Sequence, residues 1–184
     1  MRKNQSNNSK ALINYQSLIQ MTLELNRADM RFGLLWLLGI TTGFRLSDLL
    51  TLKPSSVSCT GLICLTERKS RKVRTFQLTG SVFLDVEFFV RLNGIQPDEF
   101  LFFSHRNRKH KSMSRQWAHR VIARTGRKYG LDSISPHSMR KTYACELFRT
   151  TGSVEAVRAD LNHRYISTTL LYLKDLLSVG SSRG

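Results

Sequence analysis

Residues 161–172 read Leu161-Asn162-His163-Arg164-Tyr165-Ile166-Ser167-Thr168-Thr169-Leu170-Leu171-Tyr172. A histidine stands before a turn, Ser167 opens the last helix, and Tyr172 lies on that helix nine residues after His163. Taken alone, Tyr172 reads as a core tyrosine. Just upstream, Ser135-Pro136 supplies a cap and a proline at the first helical position, so a helix runs from there to Gly152. It carries His137 and Arg140, which share a face at i and i+3. Near a helix N-terminus, an imidazole and a guanidinium beside unsatisfied N–H groups make a good anion site. Ser153 caps a further helix to about Leu161.

Working toward the N-terminus, residues 104–130 hold nine cations and no acid: Arg106, Arg108, Lys109, Lys111, Arg115, Arg120, Arg124, Arg127 and Lys128. Ser114 to Lys128 fits a helix with Trp117, Val121 and Ile122 inward and arginines outward. Such a run repels itself unless it meets a counter-charge, and phosphates are the obvious one. Before it, Val82–Leu92 reads as helix and Phe100–Phe103 as a short apolar run. Residues 57–79 read as two strands joined by a turn at Lys69–Lys72, a hairpin with a basic tip that includes Arg71. Thr42-Gly43-Phe44-Arg45-Leu46-Ser47-Asp48 follows a buried helix, Met30–Thr41, with Gly43 as its C-cap and a short helix Ser47–Leu52 beyond. Leu12–Leu25 gives an amphipathic first helix, and residues 1–10 are polar. The fold class this implies is α+β, mainly helical, with a small antiparallel β-hairpin.

The 184 residues carry 29 Lys plus Arg against 13 Asp plus Glu, a net charge of +16. That favours a polyanionic partner, nucleic acid above all. The longest apolar stretch, Phe32–Ile40, is too short to span a bilayer, which needs about 20 residues. No apolar segment follows the basic N-terminus, and three cysteines (Cys59, Cys64 and Cys145) form no zinc-ligand pattern. The expectation is a cytoplasmic protein with no membrane partner and no metal.

Together these segments, in the order Arg, Lys, His-x-x-Arg, His, Tyr, resemble the tyrosine recombinases, the phage integrase and Xer-type family. Thr42–Asp48 fits its T-G-x-R-x-S-E/D box, Lys69 its hairpin lysine, His137 and Arg140 its H-x-x-R, and Leu161–Tyr172 its L-G-H-x-x-x-x-T-T-x-x-Y segment. The chain departs from the pattern at Asn162, where Gly is usual, at Lys141, where His is common, and at Gln77, where Pro is usual. The resemblance covers residues 20 to 175, so the expected organisation is a polar arm over 1–19, a catalytic domain over 20–175 and a C-terminal tail over 176–184.

The resemblance implies a site-specific recombinase that cleaves and rejoins DNA through a 3′-phosphotyrosyl intermediate, in integration, excision, inversion or resolution, with neither ATP nor metal. It implies catalytic roles for Arg45, Lys69, His137, Arg140, His163 and Tyr172. Arg71, Lys72, Arg106, Arg108, Lys109, Lys111, Arg115, Arg120 and Arg124 are the expected DNA-binding set. The Arg and His cluster is expected to favour the Tyr172 phenolate. The expected partner is duplex DNA bearing two recombination sites, with a monomer alone, a homo-tetramer on DNA, and accessory DNA-bending proteins. A type IB topoisomerase uses similar groups. A non-enzymatic DNA-binding regulator is the other alternative, since residues 153–173 carry two helical periods about a turn; an RNA-binding module ranks last.

Overall fold

A computed structural model describes residues 9–12, 14–104 and 110–180. Its elements are α1 (Tyr15–Ala28), α2 (Met30–Thr42), α3 (Leu46–Leu49), β1 (Leu62–Thr66), β2 (Val73–Gln77), α4 (Gly80–Asn93), α5 (Arg115–Lys128), α6 (Pro136–Thr151), α7 (Val154–Asp160) and α8 (Ile166–Gly180). The two strands form an antiparallel hairpin in which Leu65 pairs with Arg74 and Thr66 with Val73. This is the mainly helical α+β architecture that the patterning predicts.

The α2 helix is the axis of the larger core. Its Leu35, Trp36 and Leu38 are fully buried, with Phe44, Leu49, Leu52, Ile63, Phe89 and Phe102 packed into the same cluster. A second cluster joins α6, α7 and α8 through Ala144, Cys145, Val157, Leu161, Tyr172 and Leu173. The α6 helix bridges the two, because Met139 packs against Gly39 so closely that a Cβ there would stand 2.4 Å from the Met139 sulfur. Five of the helix starts have a local cause. Asn14, Asp29, Ser114, Ser135 and Ser153 each accept a backbone N–H one to three residues into the helix that follows.

Three sequence expectations change in the fold. Trp117 is 41% exposed rather than inward, because the α5 face that meets the core is Ala118, Val121, Ile122 and Gly126. The boundary drawn at residue 19 falls inside α1, and the segment before that helix is packed. Ser9, Ala11 and Leu12 are buried, with Lys10 N–H donating to Ser133 O, Ala11 N–H to Asp175 and Leu12 N–H to Thr142. The boundary at residue 176 likewise falls inside α8.

Candidate active site

Gly43 ends α2 in the left-handed conformation, φ 62°, and its Cα faces the Tyr143 ring, which a Cβ would approach to 2.3 Å. Glycine is required there on both counts. The chain turns sharply enough that Arg45, two residues on, becomes the N-cap of α3. From that corner Arg45 donates to Glu67 Oε1 at 2.6 Å, with Asp48 Oδ2 4.0 Å away.

Ser135 and Ser138 close a reciprocal capping box over Pro136, which sets where α6 starts and so where His137 and Arg140 point. Arg140 is only 2% exposed. Its guanidinium donates to Gly43 O and to Leu161 O, tying the α2 corner to the end of α7. At that end Asn162 takes φ 51°, a left-handed turn that asparagine tolerates, so the absence of glycine does not break the turn. His163 follows and is buried, its Nδ1 3.0 Å from Thr169 Oγ1 on α8. This leaves Nε2 as the ring nitrogen turned away from Thr169.

Tyr172 sits one and a half turns into α8, 7% exposed, and its ring lies edge-on to both His137 and His163, with centroid separations of 4.9 and 4.7 Å. Its hydroxyl is 3.5 Å from His137 Nδ1. Arg45, Arg68, Lys69, His137, Arg140, His163, Thr168 and Tyr172 line one groove of about 780 Å³. All six expected catalytic side chains therefore meet at one place. Lys69 reaches it, whereas Lys72 and Arg71, farther round the hairpin tip, do not line it.

The electrostatics follow from burial among cations. Burial, then Lys141, Arg140 and Arg45, push His137 down to about 4. Burial, Arg140 and Arg45 push His163 down to about 4 as well, so both imidazoles are neutral at neutral pH. Burial and Arg45 pull Arg140 down to about 10, which leaves it charged. The Tyr172 phenol is pushed up by burial, against the pull of Arg140 and Arg45. That corrects the expectation that the cluster favours the phenolate: desolvation outweighs the guanidinium groups in the DNA-free protein.

Of the expected DNA-binding set, Arg115 lines both this groove and a second one along α5, where it is joined by Ser114, Gln116, His119, Arg120 and Arg127. Arg124 and Lys111 are exposed but line neither, and Arg106, Arg108 and Lys109 lie outside the described residues. Sequence reasoning missed three groups. His119 lies one turn beyond Arg115 on the groove face of α5. Arg74, on β2, is buried and donates to Thr42 O and Asp160 while its guanidinium lies 4.7 Å over the Phe44 ring. Glu67 has a fully buried side chain. A strand arginine in register with buried Leu65 was the available signal for Arg74.

Among curated proteins, the probable integrase/recombinase YoeC of Bacillus subtilis is 29% identical over 164 residues, covering 89% of this chain and 87% of that protein. Tyrosine recombinase XerC of Roseiflexus sp. is 28% identical over 145 residues, and XerA of Pyrococcus furiosus 25% over 145. This chain spans 43% and 50% of their lengths, covering 71% and 78% of itself. Among solved structures, a XerA recombinase superposes with a TM-score of 0.75 at 22% identity, over 96% of this chain and 66% of that one. XerH bound to a palindromic difH substrate gives 0.72 at 19%, over 94% and 53%. These two likenesses establish the shared fold. The model of the phage integrase family matches residues 12–177, almost the whole described chain, and the protein belongs to that family.

Proposed function

We propose that this chain is a tyrosine-type site-specific recombinase that breaks and rejoins DNA strands through a covalent 3′-phosphotyrosyl intermediate. The observation that carries the reading is the seating of the Tyr172 phenol between His137 and His163 in the groove that Arg45 and Arg140 also line. A phosphodiester entering that groove meets two guanidinium groups, which suit its non-bridging oxygens and stabilise the charge that builds up as the phosphorus becomes five-coordinate. His163 donates to the same oxygens from Nε2. His137, neutral and beside the phenol, accepts the Tyr172 proton as the P–O bond forms. Lys69 protonates the departing 5′-oxygen, and the phosphotyrosyl bond conserves the energy for religation by a second 5′-hydroxyl.

Duplex DNA lies along the α5 groove, where Arg115, Arg120 and Arg127 meet its phosphates. Exchange needs two duplexes, and the protein assembles from monomers to a tetramer on paired sites. Leu170, Leu171 and Leu177, each 42–44% exposed on α8, are the surface through which subunits join.

The test is a nicked suicide duplex carrying the sequences that flank the gene. The protein should become trapped on the 3′-phosphate, and peptide mapping should place the adduct on Tyr172. An adduct on Tyr165 moves the nucleophile off Tyr172, and no adduct at any site that the protein binds specifically refutes the reading.

A further inference from the structure

Glu67 is the acid that the sequence gives least reason to notice, two residues before Lys69 in a run of cations. In the fold its carboxylate is fully buried behind the groove, against Arg45. Oε1 accepts from Arg45 at 2.6 Å, and Oε2 accepts from Ser70 Oγ at 2.6 Å and from Asn162 Nδ2 at 3.4 Å. Its backbone is fixed too, with Glu67 N–H donating to Lys72 O and Glu67 O accepting from Arg71 N–H.

Those three side-chain partners each neighbour a different working part of the groove. Arg45 is one half of the phosphate clamp, Ser70 follows Lys69 on the hairpin tip, and Asn162 precedes His163 on its turn. We infer that Glu67 is a positioning residue, a buried ionised carboxylate that aims Arg45 and ties the Lys69 hairpin and the His163 turn to it. The inference rests on the recombinase reading for its consequence in rate, while the geometry it asserts exists without DNA. Burial alone would push this carboxyl up, but Ser70, Arg45 and Arg140 together hold it below the usual carboxylate range, so it keeps its charge at neutral pH. Asn162, where the family usually has glycine, contributes a side chain to this hub that glycine lacks.

The hub has two separable arms. The Lys69 arm matters only while the leaving oxygen needs a proton, so a substrate with a 5′-bridging sulfur, whose thiolate leaves unprotonated, bypasses it. The Arg45 arm serves the phosphate itself and is not bypassed. Glu67→Gln should bind DNA within about threefold of wild type and form adduct about 10–100-fold more slowly on the ordinary phosphodiester, since misplacement by about 1 Å costs on that order. Bridging sulfur should recover part of this loss. Ser70→Ala, which cuts the hairpin arm alone, should lose less and be fully recovered by sulfur, and Glu67→Asp should lie between wild type and Glu67→Gln. In the DNA-free protein, NMR of the Arg45 guanidinium should show hindered rotation that Glu67→Gln abolishes and Ser70→Ala preserves. A wild type that forms no adduct with either substrate sinks the recombinase reading but leaves the NMR arm to decide this inference. Unchanged Arg45 rotation in Glu67→Gln, or a sulfur-to-oxygen rate ratio identical in wild type, Glu67→Gln and Ser70→Ala, overturns it.

Discussion

Acidification should unfold this protein through its own active site. His137 and His163 are held neutral, each pushed from the ordinary 6.5 to about 4 by burial and the neighbouring guanidinium groups. In the unfolded chain both regain the ordinary value. Above pH 6.5 neither state binds the protons and the folded state loses nothing. Between 6.5 and 4 the unfolded chain takes them up and the folded chain does not, so stability falls as pH falls. At pH 5 that linkage amounts to about 2 kcal/mol per histidine, or about 4 kcal/mol for the pair. For a chain of this size it lowers the melting temperature by about 8–16 °C between pH 7.5 and pH 5. The assay is urea unfolding followed by circular dichroism at intervals across that range, with the double variant His137→Gln, His163→Gln as control; the control should lose most of the slope. A DNA oligonucleotide should restore stability, because a phosphate between Arg45 and Arg140 supplies the anion that both imidazoles lack. His137 and His163 resonances titrating near 6.5 in the folded protein, or an unchanged slope in the double variant, would refute the argument.

Other expectations are simpler to state. Tyr172→Phe should bind DNA as wild type does and form no adduct, read on a denaturing gel. Arg45→Lys and Arg140→Lys should each cost on the order of 10²–10³ in cleavage rate with little change in affinity, because a point charge cannot fork across two oxygens; a fully active Arg140→Lys enzyme would count against the clamp. Lys69→Ala should be rescued by a 5′-bridging sulfur and Lys72→Ala should need no rescue, a test of which lysine serves the leaving group. Gly43→Ala should destabilise the fold by more than 1 kcal/mol in thermal unfolding, since the left-handed backbone and the Tyr143 ring both oppose a Cβ.

What the sequence made legible was everything set by short-range rules. Ser135-Pro136 fixed the start of α6 through a cap and a ring with preset φ, and so fixed His137 and Arg140 on one face. Gly43 and Asn162 marked left-handed turns, and both strands of the hairpin lie within residues 57–79, on either side of the basic tip. The hidden parts depend on partners far along the chain. Glu67 reads as one more solvated charge until the hairpin folds against Arg45, 22 residues away. Arg74 is buried because Asp160, 86 residues on, meets it. Ser9 to Leu12 look like a polar arm, yet their backbone groups find Lys141, Thr142 and Asp175 on α6 and α8. A helical wheel faces Trp117 inward, but only the packed neighbours decide which edge of α5 meets the core.

The site's resting charges also say how its chemistry must run. Moving the Tyr172 proton to His137 takes it from a phenol held above its ordinary 10 to an imidazole held at about 4. Both displacements make that transfer an uphill step in the resting site. A phosphodiester in the groove does not close the gap by its charge, since an anion nearby raises both groups: it makes the imidazole a better base and the phenol a weaker acid. Arg45 and Arg140 pull toward the phenolate, but in the reaction proposed above both meet the phosphate and are partly neutralised by it. On that proposal the proton leaves as the oxygen bonds to phosphorus, when the phenol's acidity rises with the bond being made. The seating of Tyr172 edge-on between two neutral imidazoles serves that coupled transfer. It also keeps the proposed nucleophile protonated until a phosphate arrives between the arginines.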